Sequence, residues 1–337
     1  MRGKLIPAAA LATVVALVAC QGPADIVATS AGDYDPAHPP VARPLQGAIS
    51  VSDPSLFHWQ GTYWLFSTGA GITRARSEDL VTFTAEPQVF ATNPAWIGQS
   101  LPLTTDLWSP HVVAFAGKIH LYYAASTFGS AKSCIGHATT VDMDTPFVDQ
   151  GPVICSNLTT VVDPFNAIDP AVFLEGPAAT PWLVFGSYEQ GIELIALDQT
   201  GARADTQMTT LAARPPSNPA IQAPFLFQWR EYYYLFVSFD HCCNDATSPH
   251  TLRVGRSKAL RGPYVDRDGQ RMLDGGGTLL LESDSHFRAP GSNMVFAENG
   301  LRLNVYHAYD QTKNGAATLR ITPLYFDNDG WPVAASP

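Results

Sequence analysis

No amphipathic helical stretch of convincing length occurs in this chain, and that shortage is the first constraint on its fold. Clustered positive charge is also missing: 20 Lys and Arg stand against 30 Asp and Glu, a formal net charge of −10. Neutralising phosphates needs basic side chains in groups, so nucleic acid is excluded as a partner. The acidic balance says only that the protein is soluble and does not seek anionic surfaces. Cysteine is scarce, five residues in 337, with no CxxC or His-rich spacing, which argues against a cysteine-built metal site. The single long apolar run, Leu5 to Ala19, is too short for a comfortable membrane span.

That run reads as a targeting segment. Arg2 and Lys4 precede it and Leu17-Val18-Ala19-Cys20 closes it. The closing residues resemble the bacterial lipobox, in which the cysteine is lipidated and becomes the mature N-terminus; an ordinary signal peptide with a chance cysteine is the alternative. Residues 1–20 are thus expected to be a lipoprotein signal peptide with Cys20 as the lipidation site, and the protein a component of the bacterial cell envelope, lipid-anchored or secreted. Gln21 directs it to the outer membrane if the source is Gram-negative. Residues 21–47 are rich in Pro, Gly and Ala without periodicity, a flexible tether by composition. Setting Cys20 aside leaves Cys134, Cys155, Cys242 and Cys243, an even number in an oxidising setting. Cys134 and Cys155 flank a short loop and could pair, while the adjacent Cys242 and Cys243 form a vicinal bridge or pair crosswise. Three connectivities remain open.

Tyr, Trp, Phe and Val are plentiful instead, and Gly and Pro punctuate often, the composition of an all-β protein. One phrase recurs five times: DPSLFHWQGTYWLFSTG from Asp53, SPHVVAFAGKIHLYYAAS from Ser109, DPAVFLEGPAATPWLVFGSY from Asp169, APFLFQWREYYYLFVSF from Ala223, and APGSNMVFAENGLRLNVYHAYD from Ala289. Its prolines, Pro54, Pro110, Pro170, Pro224 and Pro290, are spaced by roughly 55–65 residues, the range of solenoids and propellers. Each phrase holds an apolar run, a turn and an aromatic alternating strand, which is a hairpin, and a third strand follows each. Four-stranded sheets repeated radially protect their edges by closing into a ring. The reading is a five-bladed β-propeller over residues 48–337, with four-stranded blades around a central channel and residues 48–52 helping the closure.

In such a ring the first strand of each blade lines the channel, so the residues before the five prolines face one another at one mouth. A lone Asp-Pro pair simply starts a strand, since Pro suits a first position and Asp suits turns. Two aspartates at equivalent inward positions, Asp53 and Asp169, point to chemistry. Glycosidic hydrolysis needs two carboxyl groups, one to protonate the leaving oxygen and one to activate water or attack the sugar.

At these residues the chain resembles glycoside hydrolase family 43, and within it the five-bladed α-L-arabinanases. Beside the SDPSLF phrase the resemblance runs through RSEDLVTF, LWSPHV, YYAASTFGSAKSCIGHATT, NAIDP, VFGSYEQGIELIALD, YYYLFVSFDHCC, VGRSKALRGPYVDRDG, YHAYD and DGWPV, nearly the whole mature chain. It implies an inverting mechanism, with Asp53 as the base that activates water and Asp169 as the aspartate that orients the acid and raises its pKa. Trp108, Phe128, Asn166 and Ser187 match positions that line the sugar sites. An arabinan-type polysaccharide is the implied partner, with the membrane reached through the lipid anchor, and a monomer is expected.

Several positions depart from that pattern. The acid of the family is a glutamate in an E-A-P phrase, and Gln222 stands there; an amide has no proton to give at neutral pH. Ser52 replaces a histidine before the base, and His111 replaces an aspartate. Ser292 replaces the histidine that resembles the ligand of a central metal ion, so no metal cofactor is expected. Glu189 occupies a tryptophan position, where it is either a substitute acid or a solvated strand-end residue. His307 and Asp310 read as inner-face or turn residues, and His286 as a distant candidate for the vacated metal-ligand place. The function expected is an arabinofuranosyl-linkage hydrolase, impaired or altered at Gln222, or acting on a different substrate. Its alternative is a non-catalytic glycan-binding surface lipoprotein; the inward aspartates oppose a purely structural interaction platform.

Overall fold

The computed structural model describes residues 32–130, 132–157, 165–188 and 190–336. Cys20, the expected lipidation site, and the rest of the expected signal peptide lie outside them. Among the described residues, five antiparallel sheets form with their strands in sequence order. The first holds β2 (Ser55–Trp59), β3 (Thr62–Ser67), β4 (Thr73–Ser77) and β5 (Thr82–Glu86), with the short β1 (Gln46–Gly47) added in parallel to β5. The second holds β6 (Leu107–Phe115), β7 (Lys118–Ser126), β8 (Lys132–Thr140) and β9 (Val148–Asn157). The third comprises β10 (Ala171–Glu175), β11 (Thr180–Phe185), β12 (Ile192–Ala196) and β13 (Thr209–Ala212). The fourth comprises β14 (Ile221–Trp229), β15 (Tyr232–Phe239), β16 (Thr251–Ser257) and β17 (Thr278–Leu281), and the fifth β18 (Phe287–Glu298), β19 (Leu301–Asp310), β20 (Ala316–Phe326) and β21 (Pro332–Ala334). The first strands touch one another in the order β2, β6, β10, β14, β18 and back to β2, which closes a five-bladed propeller.

The second strand of every blade explains the aromatic repeat. It has a strand on each side within its own sheet and a neighbouring blade over each face, so both of its faces are buried. Phe66, Tyr122, Tyr123, Phe185, Tyr234, Phe236 and Tyr306, all on β3, β7, β11, β15 or β19, are less than 2% exposed. Burying each such ring contributes roughly 1.5–3 kcal/mol.

Closure uses the chain before β2. Ile49 O accepts from Leu319 N at 2.8 Å and Arg43 N donates to Ile321 O at 2.9 Å, both on β20, while Ser52 O accepts from Thr68 N beyond β3. The segment therefore bridges the fifth and first blades, as residues 48–52 are expected to do, and β21 completes the fifth blade. The part of 21–47 that is described departs from a free tether. Asp33 N and Tyr34 N donate to Phe326 O, and Asp33 pairs with the buried Arg302. Composition hides these contacts because they are made by backbone groups and one carboxylate. The cysteines join Cys134 to Cys155, opposite each other on β8 and β9, and Cys242 to Cys243.

Candidate active site

Each x-P junction interrupts its ladder. Proline cannot donate, and the pairing register shifts between Trp108 and His111, between Gln222 and Phe225, and between Arg288 and Gly291, while β2 and β10 begin only after Pro54 and Pro170. The residues before the prolines share one rare backbone state: φ is 50° at Asp53, 45° at Ser109, 55° at Asp169, 50° at Ala223 and 48° at Ala289. A non-glycine residue there costs on the order of 1–3 kcal/mol. Alanine and serine hold this conformation as well as aspartate does. The backbone therefore gives no reason for the carboxylates of Asp53 and Asp169.

Both carboxylates line a central cavity of about 40 Å³, with Ser109, His111, Ser292 and the prolines of four blades around them. Asp53 accepts at both oxygens, from Thr68 Oγ1 and from Ser292 Oγ, each at 2.6 Å. Its backbone N–H donates to His307 Nδ1 at 3.0 Å. His307 is thereby held as the tautomer with its proton on Nε2, and burial lowers its pKa, against the pull of Asp53. His111 serves likewise between the second and third blades: Val172 N donates to its Nδ1 at 3.1 Å, and burial drives its pKa down to about 4.

Asp169 sits differently. Ser109 Oγ donates to its Oδ1 at 2.7 Å and Ala223 N to its Oδ2 at 3.1 Å. Burial, reinforced by the charge of Asp53, pushes its carboxyl up to about 7 in spite of those two donors. Ser109 also joins the two acids, because its N–H donates to Thr68 Oγ1 at 3.0 Å, the hydroxyl that holds Asp53.

Gln222 is buried beside the fourth proline. Its Nε2 donates to Asp240 O at 3.1 Å and to His250 Nε2 at 3.2 Å, so both amide hydrogens are engaged within the fourth blade. The ring of His250 is neutral, its pKa lowered to about 3 by burial above all, and can accept. Its Nδ1 is buried with no hydrogen-bond partner among the described residues and lies against Gly291, where even a Cβ would meet it at 2.2 Å. The absence of a side chain at position 291 is what makes room for this histidine.

The other expected residues spread outward. Ser187 is buried and bridges to Gln222. Asn166 Oδ1 accepts from Ser133 Oγ at 2.8 Å. Trp108 is half-buried at the start of β6, and Phe128 lies on the loop after β7 with 80% exposure; neither forms part of the cavity wall. Glu189 lies outside the described residues. His286 does not reach the cavity: its Nε2 pairs with Asp310 Oδ1 at 2.9 Å and its ring stacks on Phe287. Sequence reasoning missed Thr68, Ser109 and His250 as site residues. Ser109 was findable, being the residue before the second proline of the repeat.

The central metal implied by the resemblance is not suited to the residues present. Ser292 carries a hydroxyl that is already bonded to Asp53. Among the described residues, no group of three or more His, Cys, Asp or Glu comes together.

Comparison with known proteins follows the same geometry. Residues 46–332 match the glycosyl hydrolases family 43. The extracellular endo-alpha-(1->5)-L-arabinanase 1 of Bacillus subtilis is 36% identical over 290 residues, covering 84% of this chain and 87% of the relative. The extracellular exo-alpha-(1->5)-L-arabinofuranosidase ArbA of Cellvibrio japonicus is 34% identical over 301 residues, with 84% and 86% covered. Among solved structures, an alpha-L-arabinanase of Cellvibrio cellulosa complexed with arabinohexaose superposes with a TM-score of 0.81 at 33% identity, covering 85% of this chain and 95% of that one.

Proposed function

The chain belongs to glycosyl hydrolase family 43, and on that premise we propose that it hydrolyses α-1,5-linked arabinofuranosyl bonds of an arabinan-type polysaccharide with inversion at the anomeric carbon. The observation that carries this reading is the pair Asp53 and Asp169, held by different partners on one central cavity. Asp53, fixed by two hydroxyls and backed by His307, is the base: a water between it and the sugar loses a proton to its carboxylate as the oxygen attacks the anomeric carbon. The cavity itself holds little more than water, so the sugar lies across its mouth. Trp108 and Phe128 belong to the second blade and Asn166 and Ser187 to the third, and all four are assigned to sugar contact by resemblance.

Two relatives named above are extracellular enzymes, which supports export of this chain as well. The lipid anchor at Cys20, a bacterial cell-envelope location and a monomeric state complete the proposal. A binding-only role finds no support among those relatives, which are enzymes.

Release of reducing sugar from linear arabinan by the wild-type protein, with Asp53→Asn as control, tests the reading. Oligosaccharide binding without any turnover would overturn it.

A further inference from the structure

Gln222 leaves the proposed reaction without its usual acid, and the ring geometry shows where another carboxyl stands. We propose that Asp169 donates the proton to the leaving oxygen in this chain. The proposal rests on the hydrolase reading above and deepens it.

Asp53 and Asp169 are the two carboxyl groups on the wall of the central cavity among the described residues. The order of first strands puts Asp169 two blades from Asp53 in one direction and Gln222 two blades away in the other. The third and fourth blades are the two across the ring from the base. Asp169 stands directly before its proline, as Asp53 does, and lines the cavity, whereas Gln222 stands one residue ahead of the corresponding position, Ala223, and is not on the cavity wall. Gln222 is closed to the part on chemical grounds, since both its amide hydrogens are committed to Asp240 O and His250 Nε2.

The surroundings of Asp169 suit a group that must hold and then release a proton. Ser109 Oγ, 2.7 Å from Oδ1, is a hydroxyl that can turn to accept from the acid or donate to the carboxylate. Ala223 N holds Oδ2 and so fixes the plane of the carboxyl in both states. Burial and the nearby charge of Asp53 favour the protonated form near neutral pH.

The step balances within the pair. The O–H of Asp169 breaks and its proton joins the glycosidic oxygen, which keeps the electron pair of the breaking C–O bond and leaves as an alcohol. Water supplies the new C–O bond, and its proton goes to Asp53. The pair then holds one proton on the wrong partner, and exchange with solvent returns it from Asp53 to Asp169.

Two substrates separate the roles: linear arabinooligosaccharide, whose alkoxide leaving group needs protonation, and a dinitrophenyl arabinofuranoside, whose leaving group does not. Wild type is expected to turn over both. Asp169→Asn is expected to lose about 10²–10⁴-fold on the oligosaccharide and at most about tenfold on the aryl substrate; that residual aryl turnover also reports a folded site. Equal losses on both substrates would overturn the proposal by making Asp169 a positioning residue. A wild type that cleaves the aryl substrate alone has no acid, which overturns the proposal and leaves the hydrolase reading standing. If Glu189→Gln instead shows the selective loss, the acid is Glu189 and the proposal fails. Turnover of neither substrate by wild type would sink the hydrolase reading itself.

Discussion

Gln222 donates its side-chain amide to the neutral ring of His250, 3.2 Å away in the same blade. A second amide hydrogen goes to Asp240 O, so the side chain is locked by its own partners. Gln222→Glu would set a carboxylate against a carbonyl oxygen and an unprotonated ring nitrogen. It is expected to destabilise the fold by about 1–3 kcal/mol through unsatisfied buried groups, read as a lowered thermal midpoint. An unchanged midpoint would show that the amide is not held in this way.

Removing the base has a different signature. Asp53→Asn is expected to cost about 10²–10⁴-fold in turnover on both arabinan and activated aryl substrates, because water must be deprotonated in either case. Oligosaccharide binding, measured by calorimetry, should persist. A loss confined to arabinan would assign Asp53 to the leaving group instead.

Asp169 links stability to pH. An unfolded aspartate titrates near 3.9, whereas the folded carboxyl is pushed up to about 7. Between these values the unfolded chain has released a proton that the folded protein keeps, so stability falls as pH rises from about 4 to about 7 and levels off above. Asp169→Asn removes this dependence. At pH 8 the variant should be the more stable, by on the order of 1–3 kcal/mol once partial exposure is allowed for. Denaturant titrations of both proteins across that window check the sign.

Buried histidines act in the opposite direction. Burial, as the largest cause, lowers His111 and His120 to about 4 and His137 and His250 to about 3. Each is neutral when folded and takes up a proton on unfolding once the pH is below about 6.5. Their contribution is complete above that value and is lost as pH falls toward 3–4. His120 and His137 lie 2.9 Å apart and stack; replacing His137 by Gln should weaken the acid dependence of the thermal midpoint between pH 6 and 4.

Metal dependence follows from Ser292. Its hydroxyl binds Asp53 instead of presenting a ring nitrogen to the axis. Treatment with a strong chelator is expected to leave arabinan turnover unchanged, measured before and after dialysis. A loss restored by calcium would contradict this.

The repeat made the architecture legible before any coordinates. Five x-P phrases with aromatic second strands demand both-face burial and equivalent inner positions, and the blades match them. The two aspartates were legible for the same reason, since repeats reveal which positions are equivalent and hence which residues differ. Phe128 and His286 show where that logic ends: one lies on a loop and the other pairs locally with Asp310, and neither fate is written in a repeat phase. The described part of 21–47 was opaque in another way, because its hold on the fifth blade is made largely by backbone groups that every residue carries.

The sequence by itself determined the all-β class, the blade number, the inward aspartates and the amide at Gln222. These depend on periodicity and on residue identity, which are properties of a linear string. Only the tertiary structure decided that Ala223 and Ala289 share the backbone state of Asp53 and Asp169, that His250 takes up the amide of Gln222, and that Ser292 and Thr68 grip Asp53 while Ser109 and Ala223 hold Asp169. Such facts depend on burial and on partners far apart in the chain, Ser292 and Asp53 being 239 residues apart, and closing the ring is what brings them together.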